Sequence, residues 1–137
     1  MRNITEWIER LSIKNPIFGN LPPCPYARNA IYRVYKNNPH IVIEEWDDSF
    51  EIAIVLMDNI TSENLTKLAK ELSNDEFLTL EDHPDEYEEV DGYNLNYGEP
   101  LLLITKRSKM IKAREQLRKT DYYKNFDSEY LEDLLSR

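Results

Sequence analysis

Ile4, Trp7, Ile8 and Leu11 recur at i, i+3, i+4 and i+7, a spacing that sets all four on one face of a helix over residues 3–12. Pro16, Gly19, Pro22 and Pro23 then interrupt regular structure. Pro25 suits the first position of a second helix, because proline lacks the N–H that would go unpaired there. Ala27, Ala30, Ile31 and Val34 extend that helix to about Lys36, and Asn37-Asn38-Pro39 stops it. The β-branched start of Ile41–Trp46 predicts a strand, Asp47-Asp48-Ser49 a turn, and the apolar run Phe50–Met57 a central strand. The two strands are expected to form an antiparallel hairpin.

Thr61 or Ser62 caps a third helix whose buried face is Leu65, Leu68, Ala69 and Leu72. A short strand follows at Phe77–Leu80. Residues 81–100 read as a long, acidic, tyrosine-rich loop, a length that is uncommon in a compact domain and often functional. Leu101–Thr105 is a last buried strand. Ser108 caps a helix with Met110, Ile111, Ala113 and Leu117. Tyr122, Tyr123 and Phe126 wrap back onto the body, and Asp127 or Ser128 caps a final helix with Leu131, Leu134 and Leu135 inward. This order predicts an α+β fold: a four-stranded mixed sheet with helices mainly on one face, a ferredoxin-like sandwich. We expect one domain over 1–137, with a helical lead-in (1–22), an α/β body (23–120) and a helical tail (121–137).

Composition narrows the function classes. At 41% hydrophobic and 11% aromatic residues, the chain can bury a core. Its longest apolar runs are too short to cross a bilayer, its start lacks a secretory apolar region, and its single cysteine fits a reducing compartment, so a cytoplasmic location is expected. A formal net charge of −9 argues against direct nucleic-acid binding. The charge is uneven, however. Residues 81–99 hold eight acids and no Lys or Arg, whereas 106–119 hold seven bases against Glu115 alone. Both stretches suit solvated surfaces; the basic one also suits an anion site.

Cys24 is the first candidate for chemistry. At a helix N-terminus, with Arg28 one turn on, its thiolate would be favoured; as a plain small hydrophobe it would pack beneath the proline loop instead. His83-Pro84-Asp85 follows a predicted strand. His83 suits a general base for Cys24, with Asp85 orienting the imidazole, or else a proline-bounded surface turn. Arg28 and Arg107 would hold an anionic group by bidentate bonds, and Asn94 and Asn96 would add polar contacts. No CxxC, HxH or HExxH spacing supports a metal, no phosphate-cradling glycine loop occurs, and no cofactor is implied.

Cys24-Pro25-Tyr26-Ala27-Arg28, then His83-Pro84-Asp85, then Asp91, Asn94, Asn96 and Pro100, with Leu102-Leu103, Arg107 and Ala113 after them, form an ordered set. In that order the chain resembles an uncharacterised family of bacterial domains of unknown function. The resemblance spans about residues 24–113. It implies that Cys24, Arg28, His83, Asp85, Asn94, Asn96 and Arg107 gather in one cleft. The chain departs from the family pattern at Asn96-Tyr97-Gly98-Glu99-Pro100, where the family has Asn-Arg-Ser-Pro, and in lacking a histidine in the last strand. Two functions are therefore expected. One is a thiolate-based enzyme or binder for a small anionic molecule, using Cys24 and His83. The other is a non-catalytic protein whose acidic 81–99 segment binds a basic protein partner.

Overall fold

The computed structural model describes residues 3–25, 29–86 and 88–137. Its elements are α1 (Ile4–Leu11), a 3-10 turn (Pro16–Phe18), β1 (Tyr32–Lys36), α2 (Pro39–Glu44), β2 (Ile52–Leu56), α3 (Ser62–Leu72), β3 (Phe77–Asp82), β4 (Glu89–Val90), β5 (Tyr93–Asn94), β6 (Leu101–Lys106), α4 (Arg107–Arg118) and α5 (Ser128–Ser136). The mixed four-stranded sheet runs β1-β2-β6-β3, and β4 pairs with β5 in a separate hairpin. β2 is parallel to β1 and antiparallel to β6, which is antiparallel to β3. The β2–α3–β3 unit is thus a split crossover with β6 lying between its two parallel strands.

Two expected elements differ. Tyr32–Lys36 is a strand, where the periodicity predicts the second half of a helix; Tyr26, Ala27 and Arg28 of that helix lie outside the described residues. The apolar residues that suggested a helical face, Ile31 and Val34, are 59% and 46% exposed, so no buried helical stripe exists to stabilise one. The aromatic and β-branched run pairs with β2 instead. Conversely, Ile41–Trp46 is mostly helix. Asn38 turns the chain in the left-handed conformation, Pro39 takes the first helical position, and Pro39 and Val42 face inward. The expected hairpin is therefore a β1–α2–β2 parallel crossover.

The helical cover is divided between the two faces. α2 and α3 lie on one, where Ala53, Val55, Leu102 and Ile104 pack against Val42, Leu65, Ala69 and Leu72. On the other face Trp7 and Leu11 of α1 pack against Ile54 and Leu101, and α4 lies over β6 and β3. A third cluster, Phe18, Val90, Leu117 and Tyr122, joins the lead-in, the β4–β5 hairpin and the segment after α4. Gly19 sits in that joint at φ +67, and a Cβ there would come within 2.7 Å of the Asp121 backbone. Capping follows the sequence at Thr61 and Asp127, whose side chains accept from the N–H groups of Asn64 and Tyr130. At α4 it does not: the N-cap is Lys106, which makes no side-chain cap bond, and Ser108 lies within the first turn. Among the described residues no helix is long and apolar enough to cross a membrane.

Candidate functional site

The pleat sends Ile52 and Ile54 of β2, Leu103 and Thr105 of β6, and Leu78 and Leu80 of β3 to the α1/α4 face. Register aligns them into two rows across the sheet, Tyr32–Ile52–Thr105–Leu78 and Ile54–Leu103–Leu80. These rows floor a groove of about 560 Å³. α1 forms one wall with Trp7, Ile8 and Leu11; α4 forms the other with Met110, Ala113 and Leu117; Pro23, Cys24 and Tyr122 close one end. The contrast with the α3 face carries weight. There Ala53, Val55, Leu102 and Ile104 are fully buried; on the groove side Ile54 and Leu78 are buried too, whereas Ile52, Leu80 and Leu103 are only partly buried. Protein interiors are otherwise close-packed, so an apolar layer left partly open among the described residues is a feature requiring an explanation.

Cys24 belongs to this groove. Its N–H donates to the Leu11 carbonyl at 2.9 Å, and the Tyr122 hydroxyl donates to the carbonyl of Pro23 beside it. Burial first, then the neighbouring Cys24, pushes the Tyr122 pKa upward, so the phenol stays a proton donor at neutral pH. The thiol thus lies in an apolar wall behind a bend, with Pro25 in a turn rather than opening a helix among the described residues.

The other expected site residues serve different positions. His83 is buried, its Nε2 is 2.8 Å from the Ile60 carbonyl oxygen, and its Nδ1 accepts from the Asp85 N–H at 3.0 Å. An accepting Nδ1 requires the proton on Nε2, which then donates to Ile60; this geometry commits both nitrogens to backbone. The Asp85 carboxylate is 3.8 Å from Nδ1 and mostly solvent-exposed. Asn96 is the hub of the acidic segment. Its Oδ1 accepts from the Glu88 N–H at 2.8 Å, and its Nδ2 lies 2.9 Å from Asp82 Oδ1, 3.0 Å from the Glu86 carbonyl and 3.2 Å from that of His83. Asn94 accepts from the Asn96 N–H through its side chain and from Arg10 through its carbonyl. Arg107 donates to the carbonyls of Asn74 and Arg137, tying α5 to the body. His83, Asp85, Asn94 and Asn96 therefore form one neighbourhood, while Cys24 lies in the groove and Arg107 at the C-terminal tie; Arg28 is outside the described residues.

The segment 81–99 is packed rather than a free loop. The β4–β5 hairpin turns at Asp91-Gly92, both with positive φ, and buries Val90. The Trp7 indole donates to the Leu95 carbonyl at 3.1 Å, and the Arg10 guanidinium stacks over Tyr93. Glu88 lies among acids: burial first, then the charges of Asp82 and Glu81, push its pKa up to about 8. Burial likewise raises Asp82, against the lowering effect of its bonds from Asn96 and the Tyr97 N–H. Arg137 makes a bidentate pair with Glu81 at 2.9 and 3.2 Å, both side chains largely shielded from water. Sequence reasoning missed Arg10, Glu88 and this pair; no local pattern marks them, because each partner is distant along the chain. Among the described residues no three His, Cys, Asp or Glu side chains gather as a metal site. No protein-family model, curated protein or solved structure matches this chain.

Proposed function

We propose that the protein is a binding domain for a small molecule with an apolar body, held in the groove between α1, α4 and the sheet. The observation that carries this reading is a groove of about 560 Å³, within the size range of ligand cavities, whose floor includes the only partly buried Ile52, Leu103 and Leu80. A ligand there would complete the burial that α3 supplies on the opposite face; each apolar group taken from water adds to affinity in proportion to its area. Cys24 is a wall residue in this reading. A role for His83 as its base finds no support in the ring's two backbone partners.

The test is titration with a fluorescent apolar probe such as an anilinonaphthalene sulfonate, alongside alkylation of Cys24. Saturable binding is expected to slow alkylation, because probe and thiol share the groove. Ala113→Trp, which fills the space from α4, is expected to weaken probe binding about tenfold, a change of about 1.4 kcal/mol, without lowering the melting temperature. Absence of saturable binding, or binding indifferent to Ala113→Trp with alkylation unaffected, would overturn the reading.

A further inference from the structure

Resting on the binding function proposed above, we infer that the occupant is an unbranched aliphatic carboxylate whose acid group lies at Lys112. The shape of the floor comes first. One row crosses all four strands, from Tyr32 on β1 to Leu78 on β3, and with strands about 4.8 Å apart it extends about 14 Å; the other crosses three strands, from Ile54 to Leu80, over about 10 Å. Along the strands the floor is two inward-facing residues deep, about 7 Å. The groove is therefore longer than it is wide, the proportions of a single extended chain. Thr105 is the polar side chain within those rows, and its hydroxyl already donates to the Glu51 carbonyl at 3.0 Å. The remaining residues of the two rows are apolar or aromatic, so the floor is not equipped to recognise a polar body.

Positive charge in the lining is confined to α4. Lys109, Lys112 and Gln116 recur at three- and four-residue spacing, so they share one stripe of the helix, and all three line the groove. Lys109 is held by Glu51, the acid of this lining, at 3.6 Å. Arg114 donates to the Leu134 carbonyl at 3.0 Å. Lys112 has no ion pair among the described residues. Its apolar stem can lie along the groove wall while the ammonium stays at the water boundary. In a chain of net charge −9, the groove thus offers a cation where an apolar chain would emerge. A carboxylate placed there gains an ion-paired hydrogen bond without being buried; a neutral hydroxyl gains only the weaker bond of an uncharged acceptor, and a cationic head is repelled.

Dodecanoate and dodecanol, compared by probe displacement below the concentrations at which either aggregates, separate the possibilities. Dodecanoate is expected to bind about tenfold more tightly than dodecanol to the native protein. Lys112→Gln is expected to abolish that difference by weakening dodecanoate alone, as is raised salt. Equal affinities in the native protein, or equal weakening of both ligands by Lys112→Gln, would overturn the carboxylate assignment and leave the groove reading standing. Failure of both ligands to displace the probe would overturn the assignment of an aliphatic occupant. Failure of the probe itself to bind would overturn the binding function.

Discussion

Asn96 meets four partners through one carboxamide, and they belong to three consecutive stretches of the acidic segment: Asp82 and His83, then Glu86, then Glu88. Replacing it with alanine strands the Glu88 N–H and leaves one oxygen of the buried Asp82 without its donor. Buried groups left unpaired carry their full desolvation cost. Asn96→Ala is expected to lower unfolding free energy by about 3 kcal/mol, read as a shift of the urea midpoint with an unchanged slope. Polar residues of this kind are the hardest to interpret from a sequence. Asn94, Asn96 and His83 have the chemistry of a binding site, and here they serve to shape a loop. What distinguishes the two roles is which backbone groups lie nearby, and those are supplied by distant elements.

Elements were more legible where burial and periodicity agree. α1, α3 and the central strands β2 and β6 follow their apolar patterns, because each buries a full face in this fold. β1 and α2 were exchanged for each other's type. Ile31 and Val34 repeat at helical spacing but face solvent, and the β-branched Ile41–Ile43 run is overridden by Asn38-Pro39 at its start. The site was partly legible: Cys24 lies in the wall of the groove, whereas the groove itself depends on the register of four strands. α5 shows how an element can be docked mainly by polar bonds. None of its residues is fully buried, and its ties are Arg114 to Leu134, Arg107 to Arg137 and Arg137 to Glu81. Glu81→Gln removes the charge from the last of these. It is expected to raise amide exchange across 128–136 at least several-fold while leaving α3 protected, measured by hydrogen exchange.

For the whole molecule, buried acids set the response to pH. Glu88 binds its proton more tightly folded than unfolded, its pKa rising from an ordinary 4.5 to about 8. The folded state therefore holds more protons between those values, and the slope of stability with pH is negative there. Stability is expected to be highest toward pH 4.5 and to fall as pH rises to about 8. The fall is about 1.4 kcal/mol for each pH unit over which Glu88 keeps its proton in the folded chain and loses it in the unfolded one. Asp82 acts in the same sense. Glu88→Gln is expected to flatten the profile over this range, checked by thermal melts at several pH values; a native profile that rises between pH 5 and 8 would contradict the cause assigned here.

The position of β6 has a further consequence, for the order in which the chain can be completed. β2 and β3 are made early, but the strand that joins them is residues 101–106, made after the whole acidic segment. While the protein is being synthesised, β2 and β3 face an empty slot about 10 Å wide, each with a row of unpaired amides and carbonyls. A nascent chain stalled before Leu101 presents two open edges, one on β2 and one on β3, beyond the two of the finished sheet. Its hazard is capture of a foreign strand, and the acids of the segment made just before β6 supply the repulsion that keeps neighbouring chains away during that interval.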